Sequence, residues 1–346
     1  MPSLAQPQRR LALLVATLTL VPTACTGVPE VETSVPTTSV RATKTPTPQL
    51  LTRQDIIDLP AESPALRREG PATPVAGETA TAISYISGGL DVTGVLRVPQ
   101  GQGPFPVVVV VHGGVDPERY TSGGDLVPEQ QALIESGYAV VAVDMRGYAG
   151  SDPADIDSVA VDPGFGWLTI LDWGMALDVV NSLRMLRDGA VTEADPRRVG
   201  LLGHSMGGLL ALDAAVIAPG ASDVVVALAA GPSDFPEAFG DLERARPGML
   251  DEFSESAGQQ AVGSPYWDAI SPRRHFDRAT EPLFMIHGTA DDATLPQWSQ
   301  ATVAAWQAAG NPAEAVLIEG GDHHMKPHRS ESVRLTVAAF DAVIGR

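Results

Sequence analysis

The sequence predicts an α/β fold, in which a mostly parallel eight-stranded sheet carries helices on both faces. From about residue 80 onward, short apolar segments alternate with longer segments of helical periodicity. This alternation is typical of parallel strands connected by helices. At one junction between a strand and a helix lies the sequence Gly-His-Ser-Met-Gly-Gly, residues 203–208. Functional residues of such sheets gather at the carboxyl ends of the strands, so this junction marks a candidate functional site.

Eight segments have the apolar composition of strands. Residues 82–86 and 90–98 are separated by Gly88 and Gly89, which predicts an antiparallel hairpin. The six later strands are expected at 106–111, 139–144, 198–202, 223–230, 282–286 and 313–318. Helices are expected at 125–136, 171–187, 209–216, 296–309 and 330–344, and one short helix within 49–60. These segments together predict a single folded domain over 61–346.

One long segment, about 232–281, interrupts the alternation just before the penultimate strand. It is rich in proline, glycine and acidic residues, and it predicts a small helical insertion over the site. The aromatic residues from Phe235 to Trp267 either line a substrate pocket, together with Phe165 and Trp167, or form the insertion's own core. Those aromatic residues are Phe235, Phe239, Phe253, Tyr266 and Trp267.

The first 24 residues have the features of a secretory signal peptide. Arg9 and Arg10 precede an apolar run over 11–21 that is too short to span a bilayer. The chain's one cysteine, Cys25, follows this run and resembles the lipidated residue of a bacterial lipoprotein. The alternative is ordinary cleavage near Ala24, which would leave Cys25 as a free thiol.

The segment after Cys25 predicts a tether. Residues 26–48 hold seven threonines and four prolines and few large apolar side chains, so they cannot build a core. Residues 25–60 are therefore expected to link a lipid anchor to the folded domain. We expect an exported protein held at the cell envelope, or a soluble secreted one if Cys25 is not lipidated.

The charge of the chain limits its partners. The formal net charge is −19 at pH 7, which disfavours binding to nucleic acid or to an anionic lipid surface. We therefore expect no nucleic-acid partner and membrane contact only through the N-terminal anchor. A single cysteine also excludes an intramolecular disulfide.

The serine of residues 203–208 is a candidate nucleophile. A sharp strand-to-helix turn lifts its hydroxyl above the sheet, and the glycines at 203 and 207 relieve crowding of the backbone. Such a hydroxyl attacks ester or amide carbonyls when a base takes its proton. His323, after the last predicted strand, is the candidate base, because imidazole exchanges protons near pH 7.

Several separate motifs, in order, resemble the α/β-hydrolase superfamily. Within it, the chain resembles the catalytic domain of the prolyl oligopeptidase family and the dienelactone-hydrolase-like esterases. The motifs are Val-His-Gly-Gly at 111–114, Asp-Met-Arg-Gly at 144–147, Asp-Pro-Arg-Arg-Val-Gly at 195–200, the Ser205 turn, Ser-Pro-Tyr-Trp at 264–267 and His-Gly-Thr-Ala-Asp-Asp at 287–292. The resemblance implies an α/β-hydrolase fold from about residue 106 to the end of the chain.

The same resemblance implies the remaining roles. Asp291 matches the acid of the family's His-Gly-x-x-Asp pattern and would orient His323. The backbone N–H groups of Met206 and Gly114 would form the oxyanion hole. Asp292 is the alternative acid. His324 is the alternative base, but Met325 fits the family pattern better when His323 is the base.

Neither a cofactor nor a metal ion is expected. His324 and His328 have the spacing of two ligands on a helix, but Pro327 between them argues against a regular helix there. His112, His204 and His287 are expected to brace their loops through hydrogen bonds.

We therefore expect a serine hydrolase that cleaves a carboxylic ester, with a small ester or a short peptide as substrate. The alternative is a serine peptidase of the prolyl oligopeptidase type. Those peptidases usually carry a β-propeller before the catalytic domain, and about 80 residues precede the domain here, which favours the esterase. A third hypothesis is a binding lipoprotein on an inactive hydrolase fold, but Ser205, His323 and both oxyanion loops are present.

Overall fold

The computed structural model describes residues 52–152, 173–245, 247–256 and 261–345, and its centre is one mixed sheet. Within those residues the sheet has nine strands. They are β1 (Arg67–Pro71), β2 (Thr79–Ser87), β3 (Leu90–Val98), β4 (Phe105–Val111), β5 (Ala139–Val143), β6 (Ala194–His204), β7 (Val224–Leu228), β8 (Leu283–Gly288) and β9 (Ala313–Ile318).

The sheet is antiparallel at one end and parallel over the rest. Its strand order is β1-β2-β3-β5-β4-β6-β7-β8-β9. The pairs β1-β2, β2-β3 and β3-β5 are antiparallel. The remaining five pairs, from β5-β4 to β8-β9, are parallel. In the middle, Val109 of β4 lies between Val141 of β5 and Leu201 of β6. The carboxyl ends of β4, β6, β7, β8 and β9 therefore meet at one edge.

Nine helices of the described residues connect or cover these strands. They are α1 (Arg53–Ile57), α2 (Val127–Glu135), α3 (Trp173–Arg187), α4 (Met206–Ile217), α5 (Phe235–Ala245), α6 (Met249–Ser256), α7 (Pro265–Ile270), α8 (Pro296–Ala308) and α9 (Arg329–Ile344). A 3-10 helix, Pro272–Arg278, follows α7.

The helices lie on both faces of the sheet, as predicted. Alternate valines of β4 point to opposite faces because strand side chains have a period of two. Val109 belongs to a cluster with Leu209 of α4, whereas Val108 belongs to a second cluster with Leu133 of α2 and Phe340 of α9. Burial of each such side chain contributes about 1.5–3 kcal/mol, which is why β4 is apolar on both faces.

The mostly parallel sheet covered by helices is present as predicted, with one strand more than the eight expected among the described residues. The additional strand is β1, whose sequence Arg-Arg-Glu-Gly-Pro is almost fully exposed. It pairs with β2 through its backbone, with an irregularity between Arg68 and Gly70. Because an exposed edge strand needs no apolar side chains, its sequence carried no strand signal.

The short helix expected within 49–60 is α1, which packs against the domain. Its Arg53 side chain is fully buried and pairs with Asp213 of α4 at 2.7 Å. Thr52 and Asp55 cap the helix reciprocally. Residues 1–51, which hold the predicted signal peptide, Cys25 and most of the predicted tether, lie outside the described residues.

The segment between β7 and β8 is helical and holds an aromatic core. Trp267 of α7 is fully buried and contacts Phe239 of α5, with ring centroids 5.2 Å apart at an interplanar angle of 86°. Phe235 and Tyr266 also contact Trp267. These four residues therefore form the insertion's own core. Phe165, Trp167 and the side chain of Phe253 lie outside what the structure describes.

No helix within the described residues is both long and apolar enough to cross a bilayer.

Candidate active site

Ser205 lies on a strained turn between β6 and α4. Its φ angle is +56°, a left-handed conformation that is costly for a non-glycine residue. The turn leaves no space beside it, since a Cβ on Gly203 would lie 2.0 Å from the carbonyl oxygen of Gly207. A Cβ on Gly207 would lie 2.3 Å from the carbonyl oxygen of Val111. The two glycines thus allow the backbone to present Ser205 at the strand end.

The structure brings three of the predicted site residues into one chain of hydrogen bonds. The Oγ atom of Ser205 lies 3.0 Å from Nε2 of His323. The other ring nitrogen of His323, Nδ1, lies 2.8 Å from Oδ2 of Asp291. These residues are 118 and 32 positions apart in the sequence, and the parallel strands bring them together at one edge.

Asp291 is held by a dense set of donors. Its Oδ1 atom accepts the backbone N–H groups of Ala293 and Thr294 at 2.9 and 3.0 Å. Its Oδ2 atom accepts from Oγ1 of Thr294 at 2.9 Å and faces Nε2 of His287 at 3.1 Å. Burial alone would raise the pKa of this carboxyl, but the hydrogen bonds from His287 and His323 keep it well below its usual range. Asp291 therefore stays ionised beside His323.

The two alternative residues lie outside this hydrogen-bonded chain. Asp292 is exposed, and the carboxylate next to His323 belongs to Asp291. His324 is exposed, and its ring contacts that of His323 edge to face at 5.4 Å. The nitrogen that faces Ser205 belongs to His323.

The loop after β4 passes directly beside Ser205. A Cβ on Gly113 would lie 3.3 Å from Cβ of Ser205, which places this loop in contact with the Ser205 turn. The N–H of Gly113 donates to Oδ2 of Asp125 at 2.9 Å. Gly114, one residue further, is exposed. Met206 is the first residue of α4, so its N–H lies at the positive end of that helix.

The buried carboxylate of Asp144 holds the rest of this loop. It accepts hydrogen bonds from the hydroxyl groups of Tyr120 at 3.0 Å and Ser122 at 2.7 Å, and from the N–H of Gly123 at 3.1 Å. Thr93 of β3 donates to it from the other side at 2.7 Å. Asp144 therefore ties the loop to the sheet. An open cavity of about 370 Å³ lies along the same loop, from residue 115 to residue 125.

The three histidines expected to brace loops all do so. His112 faces the carbonyl oxygens of Gly113 and Asp144. His287 faces Oγ of Ser299 at 2.6 Å and the carbonyl of Thr294 at 2.9 Å. Nε2 of His204 donates to the carbonyl oxygen of His323 at 3.0 Å.

Three residues near the site had no assigned role in the sequence. Asp125 just before α2, Glu129 in its first turn and Arg329 at the start of α9 make polar contacts beside the His323 loop. Of these three side chains, that of Glu129 is fully buried. The spacing of four between the two acids would place them on one helix face. Their partners lie up to 200 residues away, so sequence reasoning missed them. Across the described ranges, no group of three or more His, Cys, Asp or Glu side chains is arranged to hold a metal ion.

A mostly parallel sheet with a serine on a strand-to-helix turn defines the α/β-hydrolase class of fold. Residues 108–339 match the family model described as "Alpha/beta hydrolase family", and the chain belongs to that family. The resemblance expected from the motifs is therefore confirmed.

Proteins similar to this chain include peptidases and an esterase. The uncharacterized peptidase YuxL of Bacillus subtilis (strain 168) is 25% identical over 249 residues, which cover 68% of this chain and 34% of the relative. The chain thus spans about a third of that relative's length. Uncomplexed acylaminoacyl peptidase of Pyrococcus horikoshii has a TM-score of 0.58 at 19% identity, over 84% of this chain and 43% of that one. Acetyl xylan esterase 1 from a Thermoanaerobacterium species has a TM-score of 0.60 at 17% identity, over 85% of this chain and 96% of that one.

Proposed function

We propose that this hydrolase is a serine hydrolase that cleaves a carboxylic ester through an acyl-enzyme intermediate. The observation that supports this most directly is the hydrogen-bonded chain from Asp291 through His323 to Ser205, with distances of 2.8 and 3.0 Å. Each distance lies within the range that proton transfer requires. Two ring nitrogens of one imidazole thus face an acid and a hydroxyl, which is the arrangement of nucleophilic catalysis by serine.

The proposed reaction begins with attack of the Ser205 oxygen on the ester carbonyl carbon. His323 takes the hydroxyl proton at Nε2, and Asp291 stabilises the imidazolium that forms. The carbonyl oxygen becomes an oxyanion, which would accept hydrogen bonds from the N–H groups of Met206 and Gly114. His323 then gives its proton to the leaving alcohol, and the carbon–oxygen bond of the ester breaks. A water molecule, deprotonated by the same histidine, releases the acid and restores Ser205.

The depressed pKa of Asp291 supports this mechanism. A carboxylate that stays ionised at neutral pH favours the charged form of the neighbouring imidazole without itself taking the proton. The helix dipole of α4 would add to oxyanion stabilisation, since Met206 begins that helix. The proposed chemistry uses only side chains and backbone N–H groups of this chain.

The second candidate is a serine peptidase, which would use the same residues on an amide. The sequence relative in Bacillus subtilis is named as a peptidase, and this favours a short peptide as the alternative substrate. The esterase is favoured by the acetyl xylan esterase, whose chain matches this one over 96% of its own length.

The N-terminal sequence supports export and attachment to the cell envelope. Arg9, Arg10 and the apolar run before Cys25 are the features of a processed signal, and Cys25 would carry the lipid. Mass spectrometry of the mature N-terminus tests this proposal. A diacylglyceryl group on Cys25 is expected, and an unmodified Cys25 would show that the protein is released instead.

A fluorophosphonate probe tests the proposed nucleophile. We expect the wild-type chain to react at one serine and the Ser205→Ala variant not to react. Ser136→Ala is the matched control, because Ser136 is exposed at the end of α2, opposite the strand ends that carry the site. Absence of labelling in folded wild-type protein would refute the serine hydrolase. A series of p-nitrophenyl esters beside a peptide panel then separates an esterase from a peptidase.

A further inference from the structure

Two carboxylates at the start of α2 face the loop that carries His323. Asp125 precedes the helix, and Glu129 lies one turn later in its first turn. The Oδ2 atom of Asp125 lies 3.8 Å from Nδ1 of His204. The Oε2 atom of Glu129 lies 2.6 Å from Nη2 of Arg329. Each acid therefore lies next to one basic side chain.

Each of those basic side chains donates to a main-chain carbonyl of the same loop. His204 donates from Nε2 to the carbonyl oxygen of His323 at 3.0 Å. Arg329 donates from Nη1 to the carbonyl oxygen of His324 at 3.1 Å. Two successive carbonyls are thus held by two independent donors. These contacts fix the main chain at His323 and His324.

Asp125 also contacts the loop after β4, which lies beside Ser205. The oxygen that faces His204 accepts the N–H of Gly113, the residue before the predicted oxyanion donor Gly114. His204 itself directly precedes Ser205 in the chain. The carboxylate of Asp125 therefore contacts the loop that contains Gly113 and Gly114, here called the oxyanion loop, and lies near the Ser205 turn. Through His204 it is connected to the loop that contains His323 and His324, here called the base loop.

The burial and charge of this cluster make its contacts strong. The His204 side chain is almost fully buried, and its ring centroid lies 5.0 Å from that of His323 and 5.4 Å from that of His324. Burial lowers the pKa of His204, but the nearby Asp125 carboxylate more than offsets this and raises it above its ordinary value. The Glu129 side chain is fully buried against Arg329. Low local dielectric strengthens paired charges of this kind.

We infer that Asp125 and Glu129 are positioning residues. Acting through His204 and Arg329, they hold the base loop and the oxyanion loop at fixed positions relative to Ser205. The inference rests on the proposed function and deepens it. Neither acid is expected to touch the substrate. Asp125 and Glu129 lie just before and just inside the start of α2, so one short segment connects the loop of Gly113, the Ser205 turn and the loop of His323. A displacement of about 1 Å at such a site lowers the rate by about 100-fold.

Two substitutions of His204 test whether its hydrogen bond to the carbonyl oxygen of His323 positions the base. Gln can place an N–H near the position of Nε2, whereas Met fills the space without a donor. We expect His204→Met to lower kcat by about tenfold to 100-fold with KM within about twofold. His204→Gln should recover most of that loss. A role in stability alone would lower the melting temperature and the number of labelled sites, but would leave kcat per labelled site unchanged.

Substitutions of the two acids test the rest of the cluster. Asp125→Asn keeps an acceptor for Gly113 but removes the charge that faces His204, and Glu129→Gln removes the charge that faces Arg329. We expect each to lower kcat by about tenfold, with a smaller change in KM. Glu135→Gln, an exposed acid at the other end of α2, is the matched control and should keep full activity.

All variants are measured as the full chain, with active sites counted by fluorophosphonate labelling and melting temperature recorded. Wild-type protein that neither labels nor hydrolyses esters or peptides would refute the proposed function and the positioning role with it. Wild-type protein that labels, together with Asp125→Asn and His204→Met at full kcat per labelled site, would refute the positioning role alone. A lower melting temperature with an unchanged kcat per labelled site would also refute the positioning role.

Discussion

Nε2 of His287 lies 3.1 Å from Oδ2 of Asp291, and both side chains are fully buried. The same carboxylate oxygen lies 2.8 Å from Nδ1 of His323. One oxygen therefore serves two histidines, of which one faces Ser205 and the other faces Ser299. The second histidine adds a donor that stabilises the ionised carboxylate without contacting the nucleophile.

The role of His287 can be measured through the pH dependence of hydrolysis. Its hydrogen bond helps keep the pKa of Asp291 well below its usual range, so His287→Leu should raise that pKa toward about 4. If Asp291 acts as the ionised carboxylate, as proposed, kcat/KM of this variant should fall more steeply than that of wild type as the pH drops below about 5, where a carboxyl with a pKa near 4 begins to take up its proton. We also expect kcat/KM at neutral pH to fall about tenfold, since a hydrogen bond to a charged group contributes about 1.5–3 kcal/mol.

His287→Gln is the matched variant, because the Gln amide can still donate to Asp291. It should follow the wild-type pH profile. Equal profiles for the Leu variant and the wild type would contradict the role of His287.

The two neighbouring acids, Asp291 and Asp292, provide a matched pair. Asp291→Asn should lower kcat by about 10⁴-fold, because an amide cannot stabilise the imidazolium of His323 and favours the wrong tautomer. Asp292→Asn removes the same charge from an exposed position and should leave kcat within about twofold of wild type. Steady-state kinetics on one p-nitrophenyl ester are sufficient for this comparison. Loss of activity in Asp292→Asn with retention in Asp291→Asn would reverse the assignment.

Two glycine substitutions should have opposite effects. A Cβ on Gly207 would lie 2.3 Å from the carbonyl oxygen of Val111, so Gly207→Ala must displace backbone under Ser205. We expect it to abolish fluorophosphonate labelling and to lower the melting temperature. Gly240 lies within α5 with no atom within 4 Å of the Cβ position. Gly240→Ala should stabilise the chain by about 0.5–1 kcal/mol, because alanine favours a helix over glycine.

Thermal unfolding of both variants, with labelling at Ser205, checks this contrast. Full labelling in Gly207→Ala would show that the turn can relax, which the contact distances exclude.

The buried pair of Arg53 and Asp213 predicts a stability change with pH. Burial, only partly offset by Arg53, raises the pKa of Asp213 from 3.8 to about 6. The folded chain therefore binds this proton more tightly than the unfolded chain, so the contribution of Asp213 to stability is greatest below about pH 4. It is lost as the pH rises through about 6. The free energy of unfolding should thus fall with rising pH by about 2–3 kcal/mol from this group.

Urea unfolding of wild type and Asp213→Asn at about pH 4 and pH 7 isolates the effect. Between those pH values, wild type should lose about 2–3 kcal/mol relative to the variant, which lacks the titrating group. A difference between the two proteins that does not change with pH would contradict the raised pKa.

The sheet and the three residues Ser205, Asp291 and His323 could be predicted, because a short stretch of sequence indicates each of them. A buried strand such as β4 must be apolar on both faces, and a serine between Gly203 and Gly207 needs the turn that the structure contains. The parallel sheet then brings distant strand ends together without further information. The choice between Asp291 and Asp292 needed the resemblance to a family, since the two acids are adjacent.

The contacts around Asp125 and Glu129 could not be predicted in the same way. Asp125 before a helix is indistinguishable in sequence from an ordinary helix cap. Glu129 and Arg329 are 200 residues apart, and each alone has the composition of a solvated helix start. Only the packing of α2 beside α9 shows that this pair is buried. Similarly, β1 is held by backbone pairing with β2 and by ion pairs of Arg67 and Arg68, and neither kind of contact requires the apolar pattern that predicts a strand.

The exposed strand β1 has a consequence for the behaviour of the protein in concentrated solution. A sheet edge with free backbone groups can add a strand from another molecule, and this is a common start of aggregation. Here that edge carries Arg67, Arg68 and Glu69, and its register is interrupted between Arg68 and Gly70. A second chain that paired with this edge would have to desolvate these charges and match an interrupted ladder of hydrogen bonds. The strand that the sequence did not reveal thus protects the sheet against self-association at this end.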